Sequence, residues 1–76
     1  MKELLYYIVR QIVDNPDAVS INEVTRDDTL VLELSVDPSD MGKVIGRQGK
    51  IAKSIRSIVK AAAIRENIRV NVDIIG

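Results

Sequence analysis

Apolar and polar positions alternate along this chain with two different periods, and the switches between them mark out the elements. In "ELLYYIVRQIV", Leu5, Ile8, Val9 and Ile12 recur at helical spacing, and Asn15-Pro16 stops the pattern because proline disfavours a helical residue before it. The next run, "AVSINEVTR", is rich in β-branched residues but alternates imperfectly through Val19, Ile21 and Val24, so it predicts a strand with a bulge or an edge position. After Asp27-Asp28, which reads as a turn, "TLVLELSV" alternates well. Leu30, Leu32, Leu34 and Val36 point one way and Thr29, Val31, Glu33 and Ser35 the other, and the two strands are expected to form a hairpin.

"DPSDMGKVI" predicts a short helix, with Asp37 as N-cap, Pro38 at the first helical position and Asp40 near the positive end of the dipole. Gly46 is placed to end it. A longer helix begins near Gly49 or Lys50 and runs to about Arg65, with Ile51, Ile55, Ile58, Val59 and Ala62 spaced to form one apolar face. "IRVNVDI" alternates Ile68, Val70, Val72 and Ile74 with Arg69, Asn71 and Asp73, a third strand wet on one side. Three such strands and three amphipathic helices predict an α+β two-layer sandwich, with a three-stranded sheet and every helix on its apolar face.

Composition narrows the chemistry. A chain of 76 residues, 46% of them apolar, accommodates one domain and not two, so residues 1–76 are read as a single domain. There is no Cys and no His, which removes disulfides, thiolate metal sites and the usual acid–base group. Glu3, Arg10, Gln11 and Asp14 interrupt the N-terminal apolar run, so it reads as neither a secretory signal nor a membrane span, and a cytoplasmic location without membrane attachment is expected. The formal net charge is zero, yet from Met41 to Arg65 there are seven basic residues and no acidic one, while the remainder carries four basic and eleven acidic. Charge is segregated by segment, which reopens the possibility of a polyanionic partner that the mean would exclude.

The basic segment contains "VIGRQGKIAKSIR", in which Gly46 and Gly49 lie three apart at the mouth of the long helix. A glycine pair alone is a weak signal, because a helix C-cap or a tight turn accounts for it equally well. Its setting is more informative. The first turn of a helix has up to four N–H groups without intrahelical partners and a partial positive charge, so it suits an anion. Two residues without Cβ let a sugar-phosphate chain approach the main chain, with Arg47 and Gln48 between them and Lys50 and Lys53 following. On a helical wheel at about 100° per residue, Lys53, Arg56 and Lys60 lie opposite the expected core face. Arg56 and Lys60 either prolong the phosphate cradle or form a solvated face.

This segment resembles the signature of the KH domain, in which an apolar-apolar-GxxG-basic stretch joins two helices and clamps the backbone of four nucleotides. The αββααβ order is similar to the type II arrangement of that fold, and the whole chain is similar to the small bacterial single-KH RNA-binding proteins of the KhpA type. The resemblance implies a single-stranded RNA partner, met by Lys43, Ile45, Gly46, Arg47, Gln48, Gly49, Lys50, Ile51 and Lys53. Ile45, Ile51 and Ile55 would serve the helix pair, some lining the groove and some supporting it. It also implies pairing with a second copy or with a larger KH-containing protein of the KhpB type, a role as RNA chaperone or post-transcriptional regulator, and no cofactor. Ala61 to Ala63 offer small side chains either for close approach of a partner or for packing under a loop.

No Phe or Trp is present, and Tyr6 and Tyr7 lie in the first helix, so bases would rest on aliphatic side chains and bind with modest affinity and loose sequence preference. Catalysis is not expected. The chain lacks the G-x-x-x-x-G-K-[ST] phosphate loop, since Val44 and Ile51 stand where Gly and Ser or Thr are required, and carboxylates such as Glu33 and Asp73 fall on wet strand faces. An alternative to the RNA-binding role is an interaction or dimerisation module whose RNA contact is incidental.

Overall fold

The computed structural model describes residues 1–75. Its elements are α1 (Lys2–Arg10), β1 (Ser20–Arg26), β2 (Thr29–Ser35), α2 (Met41–Ile45), α3 (Lys50–Arg65) and β3 (Val70–Ile75), with single 3-10 turns at Pro16–Ala18, Pro38–Asp40 and Arg47–Gly49. The expected α+β, αββααβ order is therefore present. The strands form one mixed sheet in the order β1-β2-β3, with β1 antiparallel and β3 parallel to the central β2.

Asp27 and Asp28 both take positive φ, 50° and 63°, as a two-residue hairpin turn of the primed type requires to match the twist of its strands. The pairing from Ser20↔Ser35 to Arg26↔Thr29 is one-to-one, so β1 is an edge strand without a bulge. Its imperfect alternation has another cause. Ile21 is buried beneath the helices, whereas Glu23 and Thr25, on the same side of the strand, are exposed.

Leu5, Val9 and Val13 from the first helix and the turn after it meet Leu32, Leu34, Val70 and Val72 from the sheet, with Val44, Ile55, Val59 and Ala63 from the helix pair. The buried face of α3 is Ala52, Ile55, Val59 and Ala63, which keeps Ile55 and Val59 of the expected face and takes Ala52 and Ala63 in place of Ile51, Ile58 and Ala62. Ile51 and Ile58 stay 37% and 49% exposed. The core face is thus turned by about 60° from the expected one. Two alanines at the contact let the helix backbone come close to its neighbours, and close packing rewards that approach more than it rewards burying larger side chains at a greater distance. Of the alanine run, Ala63 is buried and Ala61 exposed.

Candidate nucleic-acid interface

α2 and α3 meet at the glycine turn. Gly46 ends α2 with φ 74° and ψ 177°, a conformation open essentially to glycine alone, and Gln48 and Gly49 follow in the left-handed region at φ 57° and 73°. A Cβ built on Gly46 would lie 2.6 Å from Ile51 Cγ1 and 2.9 Å from Ile51 Cβ, so the first turn of α3 packs directly on the bare glycine. At Gly49 a Cβ would meet nothing, and only the positive φ calls for glycine.

The turn satisfies part of its own backbone. The Gly46 N–H donates to the Gly42 carbonyl at 2.9 Å, the Gly49 N–H to the Gly46 carbonyl at 3.2 Å, and the Lys50 N–H to the Arg47 carbonyl. Fewer amides are open than a bare helix start would offer. Among the described residues, the Arg47 and Gln48 N–H groups have no backbone acceptor in the turn, and no side chain caps α3.

Beside the turn lies a hollow of about 360 Å³ between the helix pair and β3, walled by Met41, Ile45, Ala52, Lys53, Arg56 and Ile74, with Gly49 at its edge. The rotation of α3 makes this possible, since it brings Arg56, which the sequence left between the phosphate cradle and a solvated face, to the rim of an apolar groove beside Lys53. Arg56 Nε donates to the Val72 carbonyl at 3.2 Å, and beyond that crossing a second hollow of about 220 Å³ continues along β3, with Lys60 on its wall. Arg56 and Lys60 therefore flank a groove rather than open solvent.

The expected site residues separate into four groups. Ile45 and Lys53 line the groove, while Gly46, Arg47, Gln48, Gly49 and Lys50 form the turn and the start of α3. Ile51 supports the turn from behind, against Gly46, and Ile55 is core. Lys43 points elsewhere. Its ammonium sits 2.6 Å from Asp14 Oδ2 and 3.4 Å from Asp40 Oδ1, on the side of α2 away from the groove, and its pKa is raised, chiefly by the Asp14 carboxylate.

Asp40 is the centre of that contact. It is fully buried, with Oδ1 accepting from the Asp14 N–H at 3.1 Å and Oδ2 from the Asn15 N–H at 3.0 Å. These bonds, the Asp14 N–H foremost, hold its pKa below the ordinary carboxylate value against the opposing effect of burial. Asp37 caps the preceding turn by accepting from the Ser39 N–H at 2.9 Å. Together the two aspartates tie α2, and with it the glycine turn, to the loop after α1. Sequence reading placed Asp40 at a helix dipole and missed its partners, which lie more than two dozen residues away in the chain. It also missed Met41 and Ile74 as groove walls. Ile74 carried a signal, as the last inward position of an alternating strand.

Tyr6 and Tyr7 are outside the groove, with the Arg10 guanidinium 5.3 Å above the Tyr6 ring. No helix among the described residues is long and apolar enough to cross a membrane.

Comparison with known proteins places this geometry in a family. Residues 2–74 match the family model described as the KH domain of KhpA and KhpB. The chain is 57% identical to the RNA-binding protein KhpA of Clostridium perfringens over 75 residues, which is 99% of this chain and 100% of that protein. It is 51% identical to the RNA-binding protein KhpA of Halalkalibacterium halodurans, covering 99% of each chain, and 42% identical to that of Chlamydia trachomatis, covering 97% of this chain and 95% of the other. With a glycine turn joining two helices beside an apolar, basic-rimmed groove, and a family match along nearly its whole described length, this chain belongs to the KhpA/KhpB family of KH domains.

Proposed function

We propose that this protein binds single-stranded RNA, gripping the sugar-phosphate backbone at Gly46–Gly49 and seating about four bases in the groove between the helix pair and β3. The observation that carries the reading is the pair of Arg47 and Gln48 amides without backbone acceptors, at the lip of an apolar hollow with Lys53 and Arg56 on its wall. Phosphates meet the turn, Arg47, Lys50 and Lys53, and bases rest on Met41, Ile45 and Ile74. Ile51 and Lys43 act on the site from behind, one under the turn and the other on the anchor of α2. The names of the relatives, RNA-binding proteins throughout, support the partner class.

With no aromatic platform in the groove, each site is weak, and gain comes from linking two of them. We therefore assign the protein to a homodimer or a heterodimer with a KhpB-type partner, acting in the cytoplasm on transcripts as a chaperone or regulator rather than as an enzyme. The exposed apolar side chains of Tyr7, Ile58 and Ile64 favour such an association.

The test is the double substitution Arg47→Asp with Gln48→Asp, which alters only exposed residues. It should leave the circular dichroism spectrum intact and abolish binding to labelled single-stranded RNA at low salt. Wild-type affinity should fall with salt, with a slope of roughly −0.7 per phosphate neutralised. Undiminished binding by the folded variant, or a flat salt response, would favour a scaffold whose RNA contact is incidental.

A further inference from the structure

The sheet has two edges, and only one of them borders the groove. β3 is that edge, whereas β1 lies on the far side of β2 and pairs with no other element among the described residues. The hydrogen-bonding groups of β1 can be assigned by alternation. The Leu30 N–H donates to the Arg69 carbonyl, so Leu30 and Leu32 bond toward β3, while Thr29, Val31 and Glu33 bond toward β1. Their partners Arg26, Val24 and Asn22 are thereby engaged, and Ile21, Glu23 and Thr25 turn their N–H and C=O groups outward. Proteins commonly blunt such an edge with a proline, a bulge or a lysine, and β1 has none of these. Between α1 and this edge lies a hollow of about 580 Å³, walled by Lys2, Glu3 and Tyr6 from the helix and by Ile21 and Glu23 from the strand.

We propose that β1 accepts an extended segment of a partner protein as a fourth strand, with a lysine or arginine of that segment opposite Glu23 and an apolar side chain two residues away set against Tyr6 and Ile21 in the hollow. Residues paired across two strands share a face, so those opposite Ile21, Glu23 and Thr25 fall on the helix side of the sheet. There the helix layer stops short, which is why Glu23 and Thr25 are exposed although they point the same way as buried Ile21. Charge selects the occupant. Among the described residues Glu23 and, at the end of the strand, Asp27 and Asp28 have no cationic partner. An apolar strand would strip water from the Glu23 carboxylate and put nothing in its place. A second copy of β1 would bring these acids near their own duplicates, and a nucleic acid would set phosphates against them. A cationic strand satisfies them. With β2 between the two edges, a protein docked on β1 leaves the groove beside β3 open, so the chain can hold a partner protein and RNA at once.

The probe is a seven-residue peptide, capped at both ends, with lysine at its centre, valine two residues to either side and threonine elsewhere; its symmetry serves either strand direction. Titrated at millimolar concentration into the isotopically labelled chain, it should shift the Ile21, Glu23 and Thr25 amides and the Tyr6 ring while Gly46 to Lys50 stay still. Glu23→Lys should weaken it about three- to tenfold, and a peptide with glutamate at the centre should reverse the preference, binding this variant better than wild type. Thr25→Pro removes an outward N–H and leaves the β1–β2 ladder intact, so it should keep the circular dichroism spectrum and lose the peptide. If that variant does not fold, the charge exchange at Glu23 decides alone. Absence of shifts at β1, or equal affinity for the lysine and glutamate peptides, would overturn the proposal. So would a dimer in sedimentation velocity that Thr25→Pro dissolves, which gives the edge to a second copy, or β1 shifts on adding single-stranded RNA, which gives it to nucleic acid. RNA that leaves both β1 and the glycine turn unmoved would count against the proposed function and not against this edge.

Discussion

Replacing Gly46 with alanine puts a methyl group 2.6 Å from Ile51 Cγ1 and 2.9 Å from Ile51 Cβ, on a residue with φ 74° and ψ 177°. Two costs add. The backbone conformation is essentially reserved for glycine, and holding another residue there costs about 1–3 kcal/mol. The overlap costs about another 1–3 kcal/mol, and rotating the isoleucine cannot relieve it because its Cβ is itself too close. The sum, about 2–6 kcal/mol, compares with a total stability of roughly 4–11 kcal/mol for a chain of this length. Gly49→Ala is the control. It carries the left-handed penalty alone, about 1–2 kcal/mol, since its Cβ meets nothing. Urea unfolding followed by far-ultraviolet circular dichroism measures both, and the double variant Gly46→Ala, Ile51→Ala should return as a coupling the part of the steric share that belongs to Ile51 atoms beyond Cβ, about 1 kcal/mol or more. Equal unfolding midpoints for the two glycine variants, or strict additivity in the double variant, would refute the claim that α3 packs against the turn through Gly46.

Two further outcomes test the anchor of α2 and the orientation of α3. Asp40 has a lowered pKa, so its contribution to stability is present above the unfolded value near 3.8 and is lost as pH falls through the folded value; Asp40→Asn should be less stable at neutral pH and show a flatter acid limb in urea midpoints. Lys43 has a raised pKa, so its part persists up to about 10.5 and disappears above it as the ammonium deprotonates, and parallel pH profiles for wild type and the Asp40 variant would contradict the anchor. On α3, Ala63→Leu should cost about 1–3 kcal/mol by overpacking, whereas Ile58→Ala should cost under about 1 kcal/mol. The reverse order, read from thermal midpoints, would restore the face marked by the isoleucines.

What could be read from the sequence was local. Asp27-Asp28 announced a hairpin turn because both residues tolerate positive φ, and the Asp37-Pro38 cap and the glycine pair bounded the helices on either side of the candidate site. Features that depend on distant partners were hidden. Asp40 and Lys43 looked like dipole and phosphate residues, because nothing near them in the chain reveals that Asp14 and Asn15 come within hydrogen-bonding distance. The face of α3 was misjudged for a different reason: hydrophobic periodicity weights an isoleucine above an alanine, but helix contact here favours the smaller residue. That error matters for function, since it left Arg56 undecided between the phosphate cradle and open solvent, when it borders the groove beside Lys53.

On the proposed function, the Arg47 and Gln48 amides receive phosphate while Met41, Ile45 and Ile74 receive bases. A nuclear magnetic resonance titration of the isotopically labelled protein with single-stranded RNA tests it most directly. The largest amide shifts should fall on Gly46 to Lys50 and methyl shifts on Ile45 and Ile74, while the open face of the sheet around Asn22, Asn71 and Asp73 stays still. Shifts centred on that open face, with the glycine turn unmoved, would contradict it.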